Sequence, residues 1–432
     1  MTTTILVSGK NWKLSLAEIV AYLKTRQIKF QIEYTSKEFF TLDIEQDDDN
    51  VAIDALGGFI KIGQAKIKVQ TRQVKEAFLE KNKQSHSQII QALVQSSIVD
   101  DMAKASDKIL FGVSVYCAEK SLRPLAGAIQ RSVGSTVKDE LASYNKKSKF
   151  MGFSKNRGVA QLSHVEVLKK NLVENKAEVL FCIGKEETWI ATTTAVHNPF
   201  EFQKRDIYKP NQRKIFAMPP RLARIMVNLS GCTPEKTLLD PFCGVGTILQ
   251  EALLEKAKVV GMDVNSWCVK AANENLDWLT REYCLTDNDF RVVQGDVSKL
   301  VQKIGQETVD CIVSEPDLGP ALKQIPTGPY AQKIIQKLEP LFYGFIQNAF
   351  IVLKTNGRLV LVTPYIVTRS GHIVTMPICE KMEALGFKRV KNFTEDMFSK
   401  NIPELSELVG LHSLVETDDR HKIGREIHIY DK

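Results

Sequence analysis

Two periodicities alternate along this chain, and each change from one to the other marks an element. Apolar runs at Thr4 to Ser8, Phe30 to Tyr34 and Phe39 to Ile44 predict strands, while Leu16 to Arg26 and Gln88 to Ala105 carry helical spacing. Further on, FGVSVY, EVLFCIG and TWIATTTAV read as strands, and SLRPLAGAIQRSVGSTVKDELASY and VEVLKKNLVEN as helices. Pro219 and Pro220 suit a helix start, Leu222, Ile225, Met226 and Leu229 give that helix one apolar face, and Gly231 ends it. Beyond it, apolar runs before Asp240, at Val259 and Val260, at Phe290 to Val293, at Val309 to Val313 and in GRLVLVTPY predict five strands of a parallel α/β sheet.

The sharpest local signal is LLDPFCGVGTILQEA, residues 238 to 252. An apolar run ends in Asp-Pro, passes a Gly-x-Gly pair and becomes helical, the layout of strand, tight turn and helix N-terminus that binds a nucleotide-like cofactor. Gly244 and Gly246 let the backbone approach a ligand, and the turn after Thr247 offers unpaired N–H groups. Acidic residues end the next strands: Asp263 about 20 residues on, then Asp296, then Glu315 and Asp317. All four tips would share the carboxyl edge of the sheet. No Gly-Lys-Ser/Thr follows the glycines, which argues against an NTPase loop, and Leu249 stands where a dinucleotide fingerprint has its third glycine.

DPFCGVGT, GMDVN and GDVSKL resemble the S-adenosyl-L-methionine motifs of Rossmann-like methyltransferases. Together with ILVSGKNWKLSLAEI, KRDIYKPNQRKIFAMPPRLARIMVNLSG and HKIGREIHIY, they resemble the THUMP-containing tRNA guanosine-10 N2-methyltransferase family over nearly the whole chain. The resemblance implies a small ferredoxin-like α/β domain at 1–105, a THUMP RNA-binding domain at 106–197, a linker at 198–216 and a Rossmann-like class I methyltransferase domain at 217–432. It implies S-adenosyl-L-methionine as cofactor, tRNA as partner and no metal. Some relatives work with a small zinc-binding activating subunit, but nothing in this sequence displays a surface for one.

Composition changes this picture little. A length of 432 residues allows two to four domains, and a formal charge of +7 permits a polyanionic partner without requiring one. Eight cysteines without CxxC pairs indicate neither a zinc ribbon nor a disulfide framework. The amino terminus lacks a basic lead with an apolar stretch, and no apolar run is of spanning length, so a soluble cytoplasmic protein is expected.

Two basic stretches are candidate tRNA contacts. KKSKFMGFSKNR, with Lys149, Lys155 and Arg157, interleaves cations with phenylalanines and reads either as a solvated hairpin or as phosphate contacts beside a stacking ring. The THUMP placement favours RNA. In HNPFEFQKRDIYKPNQRK, the candidates of a strap between RNA-binding module and catalytic core are Lys204, Arg205, Lys209, Arg213 and Lys214.

Within the implied cofactor site, Asp240 would receive the methionine ammonium, and the Phe242 to Thr247 backbone would line the ribose and amino-acid portion. Asp263, with Val264 beside it, would accept the ribose hydroxyls; Asp296 would accept from the adenine amine, with Val297 against the ring. The fourth strand departs from the family. Methyltransferases acting on exocyclic amines usually carry Asn or Asp, Pro, Pro, then Tyr or Phe, which orient the amine and stack on a flipped base. Here the stretch is Ser314-Glu315-Pro316-Asp317-Leu318-Gly319. Glu315 keeps an acceptor on a longer arm, Pro316 offers its carbonyl, Asp317 could read the guanine edge, and Leu318 loses the ring. Tyr330 or Tyr365 could supply one instead, with Tyr365, at the end of the fifth strand, preferred. The alternatives are a catalytically silent RNA-binding protein and a methyltransferase of another tRNA or rRNA guanosine.

Overall fold

The computed structural model describes residues 2–45, 51–152, 160–213, 218–286, 289–399, 402, 404–418 and 420–432. Its elements build two sheets. The first comprises β1 (Thr2–Ser8), β2 (Phe30–Tyr34), β3 (Phe39–Ile44), β4 (Phe59–Gln70), β5 (Lys108–Cys117), β6 (Lys147–Met151), β7 (Glu178–Ile183) and β8 (Glu187–Val196). Their order is β2-β3-β1-β4-β8-β7-β5-β6. The sheet therefore runs unbroken across residue 105, where two separate units were expected. The reason is β4, whose twelve residues are long enough to pair with β1 near its start and with β8 from Lys61 to Gln70. Inside this sheet, Lys61 of β4 forms a fully buried ion pair with Glu178 of β7, and Ser114 and Thr193 also donate to that carboxylate.

Two predicted helices are shorter than their apolar spacing suggests. Gln88 to Ala105 divides into Lys83–Val94 and Ser97–Ala105, because Ser96 turns its hydroxyl to cap the second helix. VEVLKKNLVEN is helical only over His164–Lys169, and Asn171 adopts a positive φ of 51°.

The second sheet comprises β9 (Thr237–Asp240), β10 (Lys258–Asp263), β11 (Phe290–Gln294), β12 (Val309–Ser314), β13 (Leu353–Val367), β14 (Ile373–Thr375), β15 (Lys388–Arg389), β16 (Leu414–Glu416) and β17 (Ile423–Asp431). The order is β11-β10-β9-β12-β13-β17-β15, with β14 paired to β13 and β16 to β17. Pairings from β11 to β13 are parallel, and β17 runs antiparallel beside β13. The chain leaves β9 in one direction for β10 and β11, then returns to β12 on the other side of β9. Such a switch point opens a crevice at the carboxyl ends of the two strands.

The two halves share one apolar core, in which Leu16, Leu23 and Phe40 of the first pack with Ile225, Met226 and Leu253 of the second. A buried polar seam reinforces it. Glu18 accepts from the N–H groups of Gly57 and Gly58, each at 2.7 Å, and from Asn228 Nδ2 at 2.8 Å. Arg221 donates to the Gly57 carbonyl, and a Cβ on Gly57 would sit 2.1 Å from the Arg221 carbonyl oxygen, so only glycine permits this approach. Described residues between Thr394 and Lys422 also fasten the halves. Phe398 bridges to Ile32, Lys13 pairs with Glu407, and Asn11 donates to the Val415 carbonyl at 2.6 Å. Among the described residues no helix is long and apolar enough to cross a membrane, and no group of three or more His, Cys, Asp or Glu is placed to hold a metal ion.

Candidate active site

At the switch point the ends of β9 and β12 touch: Ser314 Oγ donates to Asp240 Oδ1 at 2.7 Å, and the Phe242 N–H donates to the same oxygen at 3.1 Å. Asp240 is 2% exposed, and burial, with the Asp263 and Glu315 carboxylates nearby, lifts its pKa to about 7. The turn that follows needs its glycines. Gly244 and Gly246 have φ of +52° and +86°, and Gly246 is the N-cap of the helix Thr247–Leu254. A Cβ on Gly246 would meet Ala272 Cβ at 3.3 Å; among the described residues, one on Gly244 would meet only Arg213 Nη1, at 3.9 Å. Leu249, in place of a third glycine, is accommodated because Gly261 on β10 has no side chain: a Cβ there would lie 2.5 Å from Leu249 Cδ1.

Asp240, Phe242, Gly244 and Thr247 line a recess of about 70 Å³. It adjoins a cleft of about 950 Å³, and Arg213, Phe242 and Glu315 line both. Asp263 and Val264 lie on the cleft; Asp263 accepts from the Gly244 N–H at 2.9 Å and the Asn265 N–H at 2.8 Å, which fixes its carboxylate against the glycine turn. Pro316, Asp317 and Leu318 continue the wall. Asp317 is exposed and accepts from the Gly319 N–H at 2.9 Å, whereas Leu318 is half-buried against the core.

Several expected site residues lie elsewhere. Asp296 is exposed and caps the short turn after β11, accepting from the Ser298 N–H at 2.8 Å, and Val297 is buried in the core beside Leu239 and Met262; neither lines the recess or the cleft. The expected linker is partly helical, Pro199–Ile207, started by Asn198, whose side chain accepts from the Phe200 N–H. That helix turns Arg205 inward onto Glu251 at 2.7 Å, and Lys209 Nζ is buried against Thr247 Oγ1 at 3.0 Å. Both are corrected from RNA-facing cations to internal ones, because each finds a buried acceptor on the helix after the glycine turn. Lys204 pairs with Glu282, and Arg213 faces the recess instead of an open strap. On β6, Lys149 is exposed while Phe150 stacks inward on Phe111, with centroids 5.3 Å apart. Lys155, Arg157 and Lys214 lie outside the described residues.

The preference for Tyr365 is reversed. It is half-buried on β13 between β14 and β17 and does not line the cleft, whereas Tyr330, 48% exposed in the first turn of the helix Gly328–Val352, does. Lys333 and Lys337 follow it along the same wall. The residue that sequence reasoning missed is Arg425 of β17, which donates from Nε and, at 3.2 Å, from Nη2 to the two oxygens of Glu315. The only signal was its place in HKIGREIHIY, a charged residue within an otherwise apolar alternation.

Residues 210–368 match an RMKL-like methyltransferase domain, and residues 66–274 match a DNA methylase model. The tRNA (guanine(10)-N2)-dimethyltransferase of Methanothermobacter thermautotrophicus is 36% identical over 160 residues, covering 36% of this chain and 42% of that protein. That of Pyrococcus abyssi is 27% identical over 241 residues, covering 56% and 64%. The chain thus spans about half the length of the curated relatives it matches. In fold, it aligns over 100% of both chains with the crystal structure of TrmN from Thermus thermophilus, at a TM-score of 0.51 and 14% identity.

Proposed function

We propose that this chain, residues 210–368 of which match a methyltransferase domain, transfers a methyl group from S-adenosyl-L-methionine to N2 of a guanosine in tRNA. Position 10 is the site carried by the names of its relatives. The observation that carries the reading is the junction of a glycine-turn recess with a larger cleft at Glu315, among the described residues the one carboxylate that lines both.

The residues present fit the cofactor. Its amino-acid end bears one ammonium and one carboxylate, and the recess offers Asp240 to the first and Arg213 to the second. Gly244 leaves its side of the turn open to close approach, and Asp263 retains acceptor capacity for a ribose diol. When bound, S-adenosyl-L-methionine supplies the electrophilic methyl group.

On the substrate side, Glu315 accepts a hydrogen bond from the exocyclic amine and aims its nitrogen lone pair, with the Pro316 carbonyl as second acceptor. Asp317 takes the remaining donor of the guanine edge. Tyr330 stacks on the extruded base, and Lys333 and Lys337 hold the adjoining phosphates. The eight-stranded sheet docks the tRNA body with Lys149 on its edge, and the Glu18–Asn228 seam holds that module at a fixed distance from the chemistry. A cytoplasmic location follows from the tRNA substrate.

The test is methyl transfer from labelled S-adenosyl-L-methionine to unmodified tRNA, followed by nucleoside analysis. Labelled N2-methylguanosine is the expected product. Cofactor binding without transfer to any RNA would leave an RNA-binding protein, and label in another nucleoside would move the assignment to a different target.

A further inference from the structure

We propose that Arg425 is a positioning residue for the methyl transfer: with Glu416 behind it, its guanidinium locks the Glu315 carboxylate in the orientation from which it receives the target amine. The inference rests on the methyltransferase reading above and concerns the point at which this chain departs from the usual Asn/Asp-Pro-Pro-aromatic pattern, the longer acidic side chain of Glu315 just after β12.

Glutamate in place of a shorter acceptor adds a rotatable bond. Left free, its carboxylate would sample positions spread over about 1 Å or more, the scale on which misplacement costs roughly 100-fold in rate. Arg425 removes that freedom. Its Nε and Nη2 grip the two oxygens of Glu315 as a fork, and its Nη1 donates to Glu416 Oε2 at 3.3 Å. The side chains of Glu315 and Arg425 are only 12% and 10% exposed.

The sheet register sets the guanidinium's position from both sides. Arg425 is the direct cross-strand partner of Pro364 on β13 and of Glu416 on β16. β16 is in turn held by the amino-terminal module through the Asn11 bond to the Val415 carbonyl. A carboxylate oxygen has two acceptor sites, so each oxygen of Glu315 keeps one after the fork is made. Glu315 and Arg425 both line the substrate cleft, where a purely structural pair has no need to be. Lysine would deliver a point charge without the planar fork and so would hold the carboxylate less closely.

The experiment is steady-state methyl transfer to unmodified tRNA by the full chain as wild type, Arg425→Met, Arg425→Lys, Glu315→Gln and the double variant Glu315→Gln/Arg425→Met. Cofactor binding and thermal unfolding are measured on the same preparations. Arg425→Met is expected to lower kcat by roughly 100-fold while KM for tRNA stays within about twofold. Arg425→Lys recovers part of kcat, and in the Glu315→Gln background removal of Arg425 costs no further kcat, because the group it acts through is already lost.

Wild-type kcat in Arg425→Met, an undiminished loss in the Glu315→Gln background, or a loss confined to KM overturns the assignment. Should Arg425→Met fail to fold, Arg425→Lys and Glu416→Gln decide: unchanged kcat in both overturns it, and a fall in kcat at constant KM that vanishes in the Glu315→Gln background supports it. A wild-type protein that binds cofactor but methylates no RNA overturns the activity reading, and the role of Arg425 falls with it. An active wild type with an indifferent Arg425 overturns the positioning role alone.

Discussion

Glu251 and Arg205 face each other between the helices Thr247–Leu254 and Pro199–Ile207, Arg205 Nε lying 2.7 Å from Glu251 Oε1, while Arg224 Nε holds Oε2 at 2.9 Å. One carboxylate thereby joins three helices: Pro199–Ile207, Pro220–Leu229 and Thr247–Leu254. All three side chains are at most 5% exposed. Glu251→Gln leaves two buried cations undercompensated and is expected to cost about 3–5 kcal/mol in denaturant unfolding. Arg205→Ala should lower stability yet leave the salt dependence of tRNA binding unchanged; a shallower salt slope would return Arg205 to the RNA surface.

Cofactor affinity should depend on pH through Asp240, whose burial places its pKa at about 7. The ammonium group binds the charged carboxylate, so below about pH 7 a proton must leave on binding. Kd for S-adenosyl-L-methionine is expected to rise by up to about tenfold per pH unit from 7 towards 5 and to level off above pH 8. Titration calorimetry across that range checks this. A flat profile would show that Asp240 is already ionised in the free protein.

Gly246→Ala should cost about 1–2 kcal/mol, because alanine is strained at a φ of +86° and its methyl would press on Ala272 at 3.3 Å. The distortion lies at the N-cap of the helix behind the recess, so cofactor affinity should fall with stability. Thermal unfolding and equilibrium binding measured on the same variant test the link.

Removal of the ring at Tyr330 should weaken the interaction with the target base by roughly 1–3 kcal/mol, read as a fall in kcat/KM for tRNA at unchanged cofactor affinity. Tyr365→Leu, which removes the ring but keeps an apolar side chain at the half-buried strand position, should leave kcat/KM unchanged. The opposite result would restore the ring to Tyr365.

What could be read from the sequence was local. The strand, turn and helix from Leu238 to Ala252 follow from residues within fifteen positions of one another, and the tips at Asp263 and Glu315 follow from apolar runs that end in carboxylates. The carboxyl-edge placement of Asp240 and Glu315 was legible for the same reason. Arg425 was not, since its partner stands 110 positions earlier and only the antiparallel β17 brings them together. Arg205 and Lys209 misled because a basic, proline-punctuated stretch reads as solvent-facing until its buried acceptors, Glu251 and Thr247, are in view. From sequence Tyr330 is named but ranks below Tyr365, because its reach into the cleft is set by how the helix Gly328–Val352 packs on the sheet. The residues around Phe398, Leu408 and Leu414 are polar in sequence, yet these three are buried in the core that the amino-terminal half shares.

The central claim is that Glu315 directs an exocyclic amine towards the recess. Its most direct measurement compares wild type with Glu315→Gln in labelled methyl transfer to unmodified tRNA, with nucleoside analysis of the product and cofactor binding measured in parallel. The account predicts N2-methylguanosine from the wild type and at least about a 100-fold lower kcat from the variant, with cofactor affinity retained. Equal formation of N2-methylguanosine by both proteins would contradict it.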